Sequence, residues 1–230
     1  MKKILTSLLA VGFYLTPLTV MLMAQPTWGQ TQNLRSQEVE RLLEQGIKLT
    51  QQQEHKQAIQ ILQPVLTIVR ELKDQKLEAT VLVWLGFNYN RLGEKQKALD
   101  FYNQALPLIR AVGDRAGEAV TLGNIGVLFQ STNRPTEAIT NLEQSLQISL
   151  EMRRGLQREN RQKFLQENGG SVIATALVDV LINQKKYAKA FEWVNLFTTA
   201  NLADYTRLID AKVANAEAQQ ALDDWSTKNQ

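Results

Sequence analysis

Apolar residues recur along this chain at helical intervals. Leu82, Leu85, Gly86 and Tyr89 fall at i, i+3, i+4 and i+7, which places them on one face of a helix. A second stripe follows at Ala98, Tyr102, Ala105 and Ile109. Between the two, Arg91-Leu-Gly-Glu-Lys95 holds Gly93 where a left-handed residue closes a helix. The pair of stripes predicts an antiparallel helical hairpin. The next stretch repeats the scheme, with Asn133 in the turn position, then Arg134 and a helix-initiating Pro135. Gly113-Asp114, aligned with Lys73-Asp74, separates one hairpin from the next.

The hairpins keep a step of 40 residues. Gly46, Gly86 and Gly126 share it, as do Glu38, Glu78 and Glu118, and Leu42, Leu82 and Leu122. Ala58, Ala98 and Ala138, then Ile59, Leu99 and Ile139, then Leu66, Leu106 and Leu146 follow in register. A glycine inside a helix costs about 1 kcal/mol relative to alanine, so close packing must offset it. We therefore expect Gly46, Gly86 and Gly126 to sit where the two helices of a hairpin approach, opposite Ala58, Ala98 and Ala138. A lone hairpin cannot bury its faces, but a stack can. The expected fold class is all-α, a right-handed α-solenoid of antiparallel hairpins.

The residues Leu82-x2-Leu85-Gly86-x2-Tyr89 followed by Ala98, and Leu122-x2-Ile125-Gly126-x2-Phe129 followed by Ala138, resemble the tetratricopeptide repeat. The first unit is weaker, with Gln45 and Leu49 in the slots around Gly46. The long period also suits HEAT or armadillo repeats, or a propeller blade. The Gly and Ala slots argue against the former, and the helical periodicity against the latter. Three units span residues 37–154. A degenerate fourth hairpin is expected within 155–200, after an extended helix that stops at Asn168-Gly169-Gly170. Its stripes are Ala174, Leu177, Val178 and Leu181, then Ala190, Val194 and Phe197. Residues 201–230 read as a last helix and a polar tail. From Leu156 to Trp225 the chain also resembles the segment that joins such repeats to a CHAT domain, a caspase-like module with a His/Cys dyad. That likeness implies a truncated or protease-less relative, because the chain has no cysteine.

At the N-terminus, Lys2 and Lys3 precede an apolar run to Ala24, the make-up of an export signal over residues 1–29. Cleavage after Ala24 or after Gly29 both fit, and a retained membrane anchor is the alternative. Either form expects the remainder to be exported, periplasmic or extracellular. The formal charge of +3 falls to +1 without these two lysines, and no Lys/Arg run with interleaved aromatics follows. Nucleic-acid binding therefore has no footprint. Membrane contact is expected only through an uncleaved N-terminal segment.

Candidate chemistry is sparse. The single histidine, His55, aligns with Lys95 and Pro135 and reads as an exposed turn residue. One histidine and no cysteine cannot build a common metal cluster or a thiol nucleophile. No phosphate-cradling loop occurs. We expect no enzyme activity, cofactor, metal or small-molecule substrate. Trp84, Tyr89, Phe101, Tyr102 and Phe129 read as core packing. What remains is binding of another protein or peptide in a groove lined by the first helices. By helical phase that groove carries Glu40, Glu44, Phe87, Asn90, Arg91, Asn124, Val127, Gln130, Asp179 and Asn183. Asn124 leads the set, because its side chain offers both a donor and an acceptor to an extended backbone.

Overall fold

A computed structural model describes residues 28–154 and 170–198, with the isolated positions 220, 224 and 227. The described residues form eight α-helices and no strand. They are α1 (Trp28–Gln51), α2 (His55–Leu72), α3 (Gln75–Arg91), α4 (Lys95–Ala111), α5 (Arg115–Ser131), α6 (Pro135–Arg154), α7 (Gly170–Asn183) and α8 (Tyr187–Thr198). The expected extended helix before Gly170 and the helix after residue 200 lie outside the described residues.

The chain divides into two units, Met1–Leu42 and Leu43–Gln230. In the first, Val39 is buried and Arg41 clasps Glu38 one turn away with two short hydrogen bonds. The second is a run of helical hairpins in which each helix packs on the next, α2 on α3 through to α5 on α6, and α7 on α8; α6 also packs on α7.

The turns share one device. Gln53, Lys73, Gly93, Gly113, Asn133 and Lys185 each take positive φ just past a helix end. The residue that follows each of them donates its N–H to a carbonyl one turn back, as Glu94 does to Tyr89 at 2.9 Å and Arg134 to Phe129 at 2.9 Å. These bonds satisfy carbonyls that the helix end leaves open. Glycine takes this conformation without strain at 93 and 113; elsewhere the closing bond holds a longer side chain there. The next helix is then started by an aspartate at two places. Asp74 accepts from the Leu77 N–H at 3.0 Å, and Asp114 from the Gly117 N–H at 2.9 Å.

The small residues lie inside the hairpins. Ala58, Ala98 and Ala138 are fully buried. A Cβ added to Gly46 would fall 2.6 Å from Leu62, one on Gly86 would fall 2.7 Å from the Tyr102 ring, and one on Gly126 would fall 2.6 Å from Leu142. Positions 62, 102 and 142 thus form another column, which presses a large side chain onto each glycine. Ion pairs stitch successive hairpins. Arg70 reaches Glu78 at 2.7 Å, and Arg110 reaches Glu118 at 2.8 Å in the equivalent place.

Candidate functional site, an aromatic cavity beside a buried asparagine

Asn88, on α3, is fully buried and polar, so its amide must be paired. Its Nδ2 donates to the Trp84 carbonyl at 2.8 Å and to Thr50 Oγ1 at 2.8 Å. Thr50, at the end of α1, lies with its hydroxyl 2.9 Å from the Gly46 carbonyl and 3.1 Å from Asn88 Oδ1. His55, the first residue of α2, brings Nδ1 within 2.9 Å of Asn88 Oδ1. One side chain therefore joins three helices.

This network fixes the histidine tautomer. The Trp84 carbonyl can only accept, so the nitrogen of the Asn88 amide faces it and the oxygen faces His55. An amide oxygen also only accepts, which assigns the imidazole proton to Nδ1. In the neutral ring Nε2 is then an acceptor. No described residue hydrogen-bonds to it.

Around the histidine the walls are aromatic. The Phe87 ring meets His55 edge-on at 6.5 Å, and Trp84 meets Phe87 edge-on at 6.1 Å. With Val83 and Val120 they bound a cavity of about 470 Å³, whose rim carries Thr50, Gln51, Gln53, Arg91 and Asn124. That volume lies within the few-hundred to roughly thousand Å³ range of ligand sites. Among the described residues of the lining, Arg91 is the one of fixed charge, and none is a carboxylate.

Of the residues assigned to a groove from sequence, Phe87, Arg91 and Asn124 line this cavity. Phe87 and Asn124 are half-buried and Arg91 is exposed. The others are placed differently. Asn90 accepts from Lys95 Nζ at 2.7 Å, so its amide is engaged in the turn of its own hairpin. Gln130 reaches the Ala176 carbonyl on α7 at 3.5 Å. Val127 and Asp179 are half-buried and Asn183 is exposed, none of them in the cavity wall. Glu44 is exposed outside the lining, and Glu40, in the first unit, is exposed as well.

Two residues play parts the sequence pattern hid. His55 is not a free turn residue, because Asn88 holds it half-buried at the head of α2. Trp84 is not core, because half-burial leaves its ring in the cavity wall. The available signal was the break in the columns. Asn88 stands where Lys48 and Leu128 stand in neighbouring repeats, and Trp84 where Glu44 and Asn124 stand.

The remaining charges serve the seams. Glu118 is buried, which disfavours its charge, but hydrogen bonds from Arg110 and Arg115 outweigh this and hold its carboxyl below the usual range. Arg115 continues to Glu151 at 2.8 Å. Burial pushes the Tyr102 phenol well above its usual value, and among the described residues its hydroxyl has no hydrogen-bond partner. Among the described residues no group of three His, Cys, Asp or Glu side chains converges as metal ligands would.

The tetratricopeptide repeat model matches residues 38–111 and again 77–151. A solved structure of a Podosopora anserina protein described as a kinesin light chain with nearly identical TPR-like repeats is similar in fold. It superposes with a TM-score of 0.58 at 16% identity, over 83% of this chain and 94% of that one. A single-substitution variant of that protein gives 0.57 at 15% identity, over 83% and 93%. No curated protein matches the sequence.

Proposed function

We propose that this chain, in which residues 38–151 are a tetratricopeptide-repeat array, is a non-enzymatic scaffold that holds an extended segment of another protein against α3 and α5. The observation that carries the reading is the open cavity bounded by Trp84, Phe87, Val120 and Asn124. It joins an apolar floor to the Asn124 carboxamide, which no described residue pairs, the combination that anchors a peptide side chain while fixing its backbone. Among the described residues no three His, Cys, Asp or Glu side chains converge as metal ligands, and no described carboxylate lines the cavity.

The test is partner capture by the purified protein. Asn124→Ala should weaken capture about tenfold while helical circular dichroism stays unchanged, since Asn124 supports no described neighbour. Full capture by the variant would discard the groove. The same reading places the scaffold outside the cytoplasm, supported by Lys2, Lys3 and the apolar run behind them. A mature N-terminal mass ending the leader at Ala24 or Gly29 agrees with it, and a cytoplasmic protein with Met1 intact does not. A second reading, as regulatory partner of a CHAT-type peptidase, rests on the likeness of residues 156–225 alone. Peptidase activity that tracks the purified chain would overturn the non-enzymatic proposal.

A further inference from the structure

We infer that the cavity selects a tyrosine side chain on the bound segment, whose phenol donates its hydrogen bond to His55 Nε2. This rests on the scaffold reading and names what the site chooses. The argument begins with the buried amide of Asn88, which accepts from Nδ1 and so leaves Nε2 as a lone pair without a described partner. An acceptor set in a wall of Trp84, Phe87 and Val120 favours an occupant that brings a donor on an apolar ring. Phenylalanine fills the space but leaves the acceptor unpaired. Serine and threonine bring the donor without the ring. Lysine and arginine bring donors, yet Arg91 repels them and no carboxylate in the lining compensates.

Tryptophan also donates, but an indole only donates. The rim holds donors of its own, in Arg91 and in the Asn124 amide, that an indole cannot satisfy. A phenol oxygen both gives and receives, which matches a lining that holds an acceptor, His55, together with the donors of Arg91 and Asn124.

The probes are three neutral pentapeptides, acetyl-Ala-Ala-Xaa-Ala-Ala-amide with Xaa tyrosine, phenylalanine or lysine, titrated into the isotopically labelled full chain. The tyrosine peptide should bind about tenfold tighter than the phenylalanine peptide, as one well-formed hydrogen bond predicts. It should also shift the Trp84 indole signal, and the lysine peptide should not bind. His55→Phe, which keeps the ring and removes the acceptor, should erase the tyrosine preference. Equal binding of the first two peptides, or a preference that survives His55→Phe, overturns the proposal. A direct reading of the free protein stands apart from any variant, because long-range nitrogen–proton spectra must show the proton on His55 Nδ1. A proton on Nε2 sinks the selection, as does binding of none of the peptides. In either case an Asn124-dependent capture of a partner would still uphold the scaffold, so the two failures are separable.

Discussion

Two seams between hairpins use the same frame and end differently. Where α1 and α2 meet α3, the central residue is Asn88, polar and fully buried, and beside it about 470 Å³ stays open. Where α5 and α6 meet α7, α5 carries Leu128 and Gly123, which lie 40 positions after Asn88 and Val83. A Cβ on Gly123 would lie 2.6 Å from Ile173 and 3.1 Å from the Ser145 hydroxyl. Ser145 is in turn tied to the Ala119 carbonyl at 2.7 Å. A recess lined there by Ala119, Ser145 and Ile173 has a volume of only about 20 Å³. The lesson is a division of labour. Residues that recur every 40 positions set the hairpins, and the network beside the open cavity is built on Asn88 and His55, which break the recurrence.

The sharpest way to break this comparison is at the recurring glycines. Gly126→Leu should destabilise by about 3 kcal/mol or more, because its Cβ meets the Leu142 backbone nitrogen at 3.1 Å as well as the side chain. Gly86→Leu meets only the Tyr102 ring and should cost about 1–3 kcal/mol. Thermal unfolding checks both, and unchanged melting would remove the close approach from the account. Next comes the polar seam itself. Asn88→Ala should cost about 1–3 kcal/mol by orphaning the Thr50 and His55 contacts. Asn88→Leu, which brings in the residue found 40 positions later, should cost less, because it keeps the volume. Denaturant midpoints separate the two variants.

A smaller effect concerns acid. The Glu118 carboxyl has a folded value below its ordinary 4.5, so its stabilisation is present above that pH. It is lost as pH falls through the lowered folded value. Glu118→Gln should therefore narrow the stability gap between neutral and acid solution, read as midpoints measured across pH; an unchanged gap contradicts the pairing with Arg110 and Arg115. The smallest effect is at Tyr102, whose buried hydroxyl has no partner among the described residues. Tyr102→Phe should be neutral or stabilise by up to about 1 kcal/mol. A loss of more than that would reveal a hydrogen bond the fold depends on.

The helices and their order were legible in the sequence because stacking repeats write their packing as a period. Gly46, Gly86 and Gly126 could be assigned a close approach before any coordinates, since only a dense contact offsets a mid-helix glycine. The cavity was legible only in part. Helical phase located Phe87, Arg91 and Asn124, because direction around a helix follows from spacing. It gave no sign of the contacts that draw Asn90 to Lys95 and Gln130 to α7. His55 was hidden for a related reason. Its place depends on Asn88, a residue outside the recurring columns, whose side-chain partners come from two other helices.

The central claim is that a partner lies along the open seam. Site-specific photo-crosslinking tests it directly, with a photoreactive phenylalanine analogue at Phe87 in the cavity wall and, as control, at the exposed Asn103 on α4. The account predicts polypeptide adducts from position 87 that disappear with Asn124→Ala, and none from position 103. Adducts of equal yield from both positions, or from 103 alone, would contradict it.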